Sequence, residues 1–250
     1  MTRKVNRRPA RFLQPASKSI TPKIGKKVVV DDAIVPRSVE ELKGILDRYD
    51  INLEARGKGT ELLFAEIDSG ESSLILRGGK LYRKTRSVWV EIHPVRVVNG
   101  KPQVVDKLVL SEIAHHNENT GETKIRGHPG EIYTESAANR LQMRVTLPGH
   151  PLSEKIKSGE TPEDAARRGI AEELSPITSG GPEPRVAKLR VDAEPITEMV
   201  DSFSYPGLKA IYEIWFAKAE VANLPTSSTF WTADVDSTGR VIEWRWNKVT

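Results

Sequence analysis

Residues 159–174 read GETPEDAARRGIAEEL. Thr161 is an N-cap, Pro162 takes the first helical position where its missing N–H is no loss, and Asp164 lies three residues after the cap. Glu163 and Asp164 also complement the positive end of the helix dipole. Ala166, Ile170 and Leu174 recur every four residues, which predicts a helix over 161–174 with one buried stripe. At about 100° per residue, positions 169, 172 and 173 share a neighbouring face. Glu172 and Glu173 are therefore placed to offer two carboxylates to one hard cation, with room left for phosphate oxygens and water. Glu160, just before the helix, is placed to pair with Arg168. A Gly159 turn permits close backbone approach to a ligand or metal.

Outward from this helix the pattern is extended. Residues 88–92 are β-prone, and 95–98 lead into Asn99-Gly100, a type I′ hairpin signal, followed by strand residues 104–105 and 108–110. A polar loop is expected over 115–130, then an alternating strand over 141–147 that ends in Pro148-Gly149. Later strands are expected over 185–191, 196–203, 209–221 and 241–246, with Tyr205-Pro206-Gly207 as a turn. Trp244 and Trp246, two apart, share one sheet face and read as core. Towards the amino terminus, Ser38 with Glu41 forms a capping-box pattern ahead of Leu42, Ile45, Leu46 and Tyr49 at helical spacing. Thr60 is expected to cap a second short helix carrying Leu62, Leu63 and Phe64. Two such helices bury little alone and must dock on the strand-rich body. Strands around one well-capped helix indicate an α/β or α+β sandwich.

Gly-Glu, seven residues, Arg, one residue, an aliphatic, one residue and then Glu-Glu resembles the second half of the Nudix box. Leu147-Pro148-Gly149 resembles the strand end and loop that open it, so the motif lies within 147–174 and the box proper at 149–174. The similarity covers about residues 80–250. It implies a Nudix-like α/β/α sandwich that hydrolyses a phosphoanhydride in a nucleoside diphosphate linked to another group. It also implies Mg²⁺ or Mn²⁺ held by the box glutamates and a metal-activated water attacking phosphorus. By position, Glu172 and Glu173 match the paired metal ligands and catalytic carboxylates. Glu160 and Arg168 match the structural ion pair, and Gly149, His150 and Gly159 fall in the substrate-proximal loop.

The sequence departs from that pattern at several points. The glutamate directly after the arginine in the family is Gly169 here, and losing an acid–base group or an equivalent ligand costs roughly 10²–10⁴ in rate. The second glycine of the opening pair is His150, and about four extra residues separate Pro148-Gly149 from Gly159-Glu160. The closing glycine is Ser175, with Pro176 next to it. Four residues remain after Trp246, so the carboxy-terminal helix of the family is not expected. Gly169 is also unfavourable in mid-helix by about 1 kcal/mol relative to Ala, and nothing in the helix pattern asks for it. It reads as relaxation of a disused site, the other reading being room left for a neighbouring chain or ligand. Glu198, Glu213 and Glu220 are candidates for a replacement carboxylate.

Of 250 residues none is Cys, which excludes disulfides, thiolate-zinc sites, Fe–S clusters and a cysteine nucleophile. No apolar run approaches the roughly 18 residues of a membrane-spanning helix. The net charge of +4 hides a division. Residues 1–30 hold nine basic residues and no acid, and subtracting them from 38 leaves 29 basic against 34 acidic. Residues 1–30 read as a basic disordered arm: an organelle transit segment, a nuclear address, a grip on an anionic partner such as RNA, or a solvated tail. An intracellular protein is expected, cytoplasmic by default, with mitochondrion, plastid or nucleus as the alternatives the arm raises. Residues 31–72 form a small helical module and 73–250 the Nudix-like domain.

Among the other side chains, His115 and His116 read as exposed residues that point apart, and His93 and His128 as ordinary ones. The run Lys80, Arg83, Lys84, Arg86 reads as a solvated strand face before a phosphate or RNA groove. Two functions compete. One is a divergent Nudix hydrolase, acting with Mg²⁺ or Mn²⁺ on a nucleotide-type small molecule or an RNA 5′ end. The alternative is a catalytically inactive Nudix fold serving as a binding or scaffold module in an RNA-associated assembly.

Overall fold

The computed structural model describes residues 31–53, 58–105, 107–125, 149–174, 183–202, 204–233 and 239–248. The basic arm, the expected strand over 141–147, His128, Pro148 and Ser175 lie outside them. All of the described residues belong to one compact unit, Asp31–Thr250. In chain order the described elements are β1 (Asp32–Ile34), α1 (Val39–Asp47), α2 (Thr60–Asp68), β2 (Ser72–Arg77), β3 (Lys80–Val98), β4 (Lys101–Val104), β5 (Leu108–Asn117), β6 (Thr123–Ile125), β7 (Leu152–Lys155), α3 (Pro162–Leu174), β8 (Arg185–Val191), β9 (Ile196–Asp201), β10 (Lys209–Ala222), β11 (Thr229–Ala233) and β12 (Arg240–Lys248).

The 19-residue β3 is the spine of one mixed, largely antiparallel sheet. Along one edge it pairs in parallel with β10, from Tyr82↔Lys209 to Val95↔Ala222, without a register break. Along the other it meets β2, then β7, β5 and β4 in succession, all antiparallel. The β3–β4 turn is formed by Asn99 at φ 52° and Gly100 at φ 74°, the two left-handed residues a type I′ turn requires. Beyond β5 the sheet continues through β12 to β11.

Unbroken alternation along β3 sends its side chains to two faces. Val88, Val90 and Ile92 pack with Ala165, Ala166, Ile170 and Leu174 of α3 and with Trp244. Leu81 lies on the other face, where Leu42, Ile45, Leu46 and Leu63 of α1 and α2 enclose it together with Leu74, Tyr205 and Leu208. Helices therefore cover both faces of the sheet, and the second layer comes from the amino-terminal helix pair. The architecture is a mixed α+β one. Ser38 caps α1 by accepting from the Glu41 N–H at 3.2 Å. Thr60 does not cap α2 but is its first residue, the cap being Gly59 at φ 53°.

Two further expectations are corrected. His115 and His116 are not in a loop but in β5, opposite Ile242 and Val241 of β12, because β12 and β6 give those residues strand partners on both sides. Arg83 is not on a solvated face: it is buried on the α2 side of β3, its Nη2 donating to Glu66 Oε2 at 2.6 Å. Glu66 also takes Lys58 and Lys155, at 3.1 and 3.0 Å, and the Ser72 hydroxyl at 3.0 Å. Burial pushes this carboxyl up, but the three surrounding cations prevail and hold it at about 2. Among the described residues, no helix is long and apolar enough to cross a membrane.

Candidate functional site: helix α3 and strand β7

The site begins at Gly149, whose φ is +95°. A Cβ there would stand 2.7 Å from the Glu112 carbonyl oxygen, so glycine alone lets the chain approach β5 closely enough to pair. The pair is reciprocal: the His150 N–H donates to Glu112 O at 2.9 Å and the Glu112 N–H to His150 O at 2.8 Å. The His150 ring is buried, edge-on to Trp89 at 5.0 Å, and its Nδ1–H donates to Pro151 O at 2.7 Å. Gly149 and His150 are interior packing residues rather than part of an open substrate loop. Gly159 stands at the far end of β7, so the three do not come together.

Between Pro148-Gly149 and Gly159-Glu160 the chain forms β7, antiparallel to β3 with Glu154 opposite Val88 and Lys155 opposite Ser87. Alternation sends these neighbours to opposite faces. Lys155 reaches down to Glu66 and Glu71, at 3.0 and 2.7 Å, and ties β7 to the α1/α2 layer. Glu154 points to α3.

Helix α3 starts as its sequence requires. The Thr161 hydroxyl accepts from the Asp164 N–H at 3.1 Å and donates to the Asp164 carboxylate at 2.6 Å. Arg168 then grips Glu160 with both prongs of its fork, Nε to Oε1 and Nη2 to Oε2, each at 2.9 Å. The same guanidinium donates to Glu154 Oε1 at 2.9 Å, to Glu172 Oε2 at 3.2 Å and to the Lys155 carbonyl at 2.8 Å. Arg168 is thereby held firmly in its charged form. Glu160 lies below the usual carboxylate range because Arg168 bonds it. Burial pushes Glu154 up, with the Glu172 charge acting in the same direction and Arg168 opposing them.

Gly169 faces this strand. A Cβ at 169 would lie 2.9 Å from Glu154 Cβ, 3.0 Å from Glu154 Cγ and 3.1 Å from Leu152 Cδ2. The helix pattern does not ask for glycine, but β7 does. Room at 169 is used, and its occupant is a neighbouring strand of the same chain. Of the box pair, Glu172 is half exposed and leans on Arg168, while Glu173 accepts from Arg240 Nη2 on β12 at 3.3 Å. Among the described residues, no three His, Asp or Glu side chains stand where one metal ion could take them all.

None of the carboxylates named as replacements stands in Gly169's slot. Glu213 pairs with Lys84 and Glu220 with Lys188, both on the β10 side of the sheet, and Glu198 is buried on β9. The acid that the structure does bring to the helix, Glu154, escapes sequence reasoning because a four-residue strand offers too little alternation to be seen. Its one signal is the Glu-Lys pair within the stretched loop. Arg240 escapes as well, since nothing local marks an arginine that meets a helix 67 residues earlier. The Glu112–His115 side-chain contact on β5 is hidden for another reason, the polar stretch after 115 reading as loop. Compared with known proteins, the sequence matches no family model and no curated protein.

Proposed function

We propose that the chain is a Nudix-like sandwich whose box has become a structural clamp, and that it serves as a binding or scaffold module rather than a hydrolase. The observation that carries this reading is the contact at Gly169. The slot for the third carboxylate is filled by the Glu154 and Leu152 side chains of β7, so restoring a glutamate there requires those side chains to shift. The remaining donors do not fit a divalent ion as they stand. Arg168 Nη1 lies between Glu154 and Glu172, and Arg240 answers Glu173, so internal guanidinium groups neutralise the carboxylates that the metal would need. The arginines hold β7, the box loop and β12 around one helix. The basic arm supplies a natural contact for an anionic partner such as RNA.

The test is turnover by the full chain with Mg²⁺ or Mn²⁺ on nucleotide sugars, dinucleotides, nucleoside triphosphates and capped RNA, alongside Glu172→Gln/Glu173→Gln. No turnover above background in either protein is expected. Turnover that the double change abolishes would refute the clamp. A second reading, a divergent hydrolase, is favoured by one observation: Glu154 is a third, largely buried carboxylate sharing Arg168 with Glu172. It requires that Glu154→Gln abolish whatever turnover the panel reveals. For the arm, deleting residues 1–27 should remove RNA affinity, and that affinity should fall steeply with salt.

A further inference from the structure

A cleft of about 350 Å³ opens where the edge of β3 changes partner, from β2 at Ser72↔Thr85 to β7 at Ser87↔Lys155. Its size lies in the lower range of small-molecule sites. Ile34, Ile67 and Ile156 give it an apolar wall, and Ser73, Lys84 and Arg86 a polar one. Two glycines shape it. Gly70 at φ +76° lets the α2–β2 turn close on the β7–α3 loop, since a Cβ there would meet Ser158 Cβ at 3.0 Å. Gly159, at φ +79°, has open space where its Cβ would be.

The charges in this cleft do not cancel. Lys84 is answered by Glu213 at 2.7 Å, and Glu71 by Lys155 at 2.7 Å. Arg86 lies over the Trp215 ring, 5.3 Å from its centroid, and forms no ion pair with a carboxylate among the described residues. Stacking fixes the guanidinium plane and leaves its N–H donors for another partner. One unmatched cation beside an apolar wall selects an oxyanion carried on a small apolar body.

We propose that this cleft is a binding site for a small amphipathic oxyanion, a phosphate or carboxylate on a short apolar group, with Arg86 as the residue that takes the anion. The site is separate from the box carboxylates and does not depend on whether they turn over substrate.

Titration of the full chain at low ionic strength, monitored by calorimetry and by amide chemical shifts, tests it. Phenyl phosphate and benzoate present the two oxyanions on an apolar body, inorganic phosphate the anion alone, and benzyl alcohol the body alone. At least one of the first two should bind saturably below about 10 mM, more tightly than inorganic phosphate, with shifts at Ser73, Arg86 and Ser158. Benzyl alcohol should not bind. Arg86→Gln should weaken that binding at least tenfold, Arg86→Lys should restore part of it, and Arg245→Gln on β12 should leave it unchanged. Ser73→Trp, which fills the cleft and leaves Arg86 intact, should abolish it and covers the case in which Arg86→Gln does not fold. No saturable binding by either probe, or equal affinity in Ser73→Trp and the unaltered chain, would overturn the proposal.

Discussion

Replacing Gly169 by alanine separates a packed clamp from a relaxed helix. On an open helix face, Gly→Ala stabilises by about 1 kcal/mol because glycine loses more backbone freedom on folding. Gly44 in α1 provides that reference inside the same molecule: it is exposed and nothing lies within 4 Å of where its Cβ would stand. At Gly169 the new methyl would sit 2.9 Å from Glu154 Cβ and 3.1 Å from Leu152 Cδ2, well inside the roughly 3.5–4.0 Å optimum for carbon pairs. Overpacking of this kind costs about 1–3 kcal/mol. Set against the propensity gain, Gly169→Ala should range from nearly neutral to a loss of about 2 kcal/mol, whereas Gly44→Ala should gain about 1 kcal/mol. Urea unfolding at neutral pH reads both. Glu154→Gly removes the two nearest opposing atoms and leaves Leu152 Cδ2, and in a double-mutant cycle with Gly169→Ala it should recover about 1–2 kcal/mol of coupling. Equal stabilisation at both glycines, with no coupling to Glu154, would refute the claim that β7 dictates residue 169.

The same contacts set three further outcomes. Arg168→Met leaves Glu154 and Glu160 without their shared cation and should destabilise by about 3 kcal/mol, with Arg168→Lys only partly better because an ammonium cannot reproduce the fork; thermal and urea unfolding would show it. Glu66, held at about 2, contributes stability that is complete above the ordinary carboxylate range and lost as pH falls through that range towards 2. Stability measured from pH 6 to pH 2 should therefore decline by roughly 3 kcal/mol more in the unaltered chain than in Glu66→Gln. Leu63→Ala opens a fully buried site between α2 and the sheet and should cost about 3 kcal/mol in urea unfolding.

Legibility tracks the length of the signal. Long strands announce themselves: the expected 185–191 coincides with β8, and 209–221 with all but one residue of β10. The turn at Asn99-Gly100 is written in two residues whose φ must be positive. The Thr161 cap and the Glu160–Arg168 pair depend on spacings within one turn-and-helix unit, and spacing is what a sequence displays. The features that escape depend on distant partners. Gly169 looks like decay along the helix and makes sense only with β7 in place. The burial of Arg83 comes from Glu66, 17 residues earlier on another layer. Position 115 reads as loop until β12 supplies a neighbour. The stretched loop, which counts as a defect against the box pattern, is the strand that joins the two helical layers through Glu154 and Lys155.

In the proposed clamp, arginines and not a divalent cation neutralise Glu154, Glu172 and Glu173. Mn²⁺ binding to the full chain, monitored by electron paramagnetic resonance, tests it most directly. The clamp should show no stoichiometric site tighter than about 1 mM, and no difference between the unaltered chain and Glu172→Gln/Glu173→Gln. One tightly bound Mn²⁺ per chain, lost in that double variant, would contradict it.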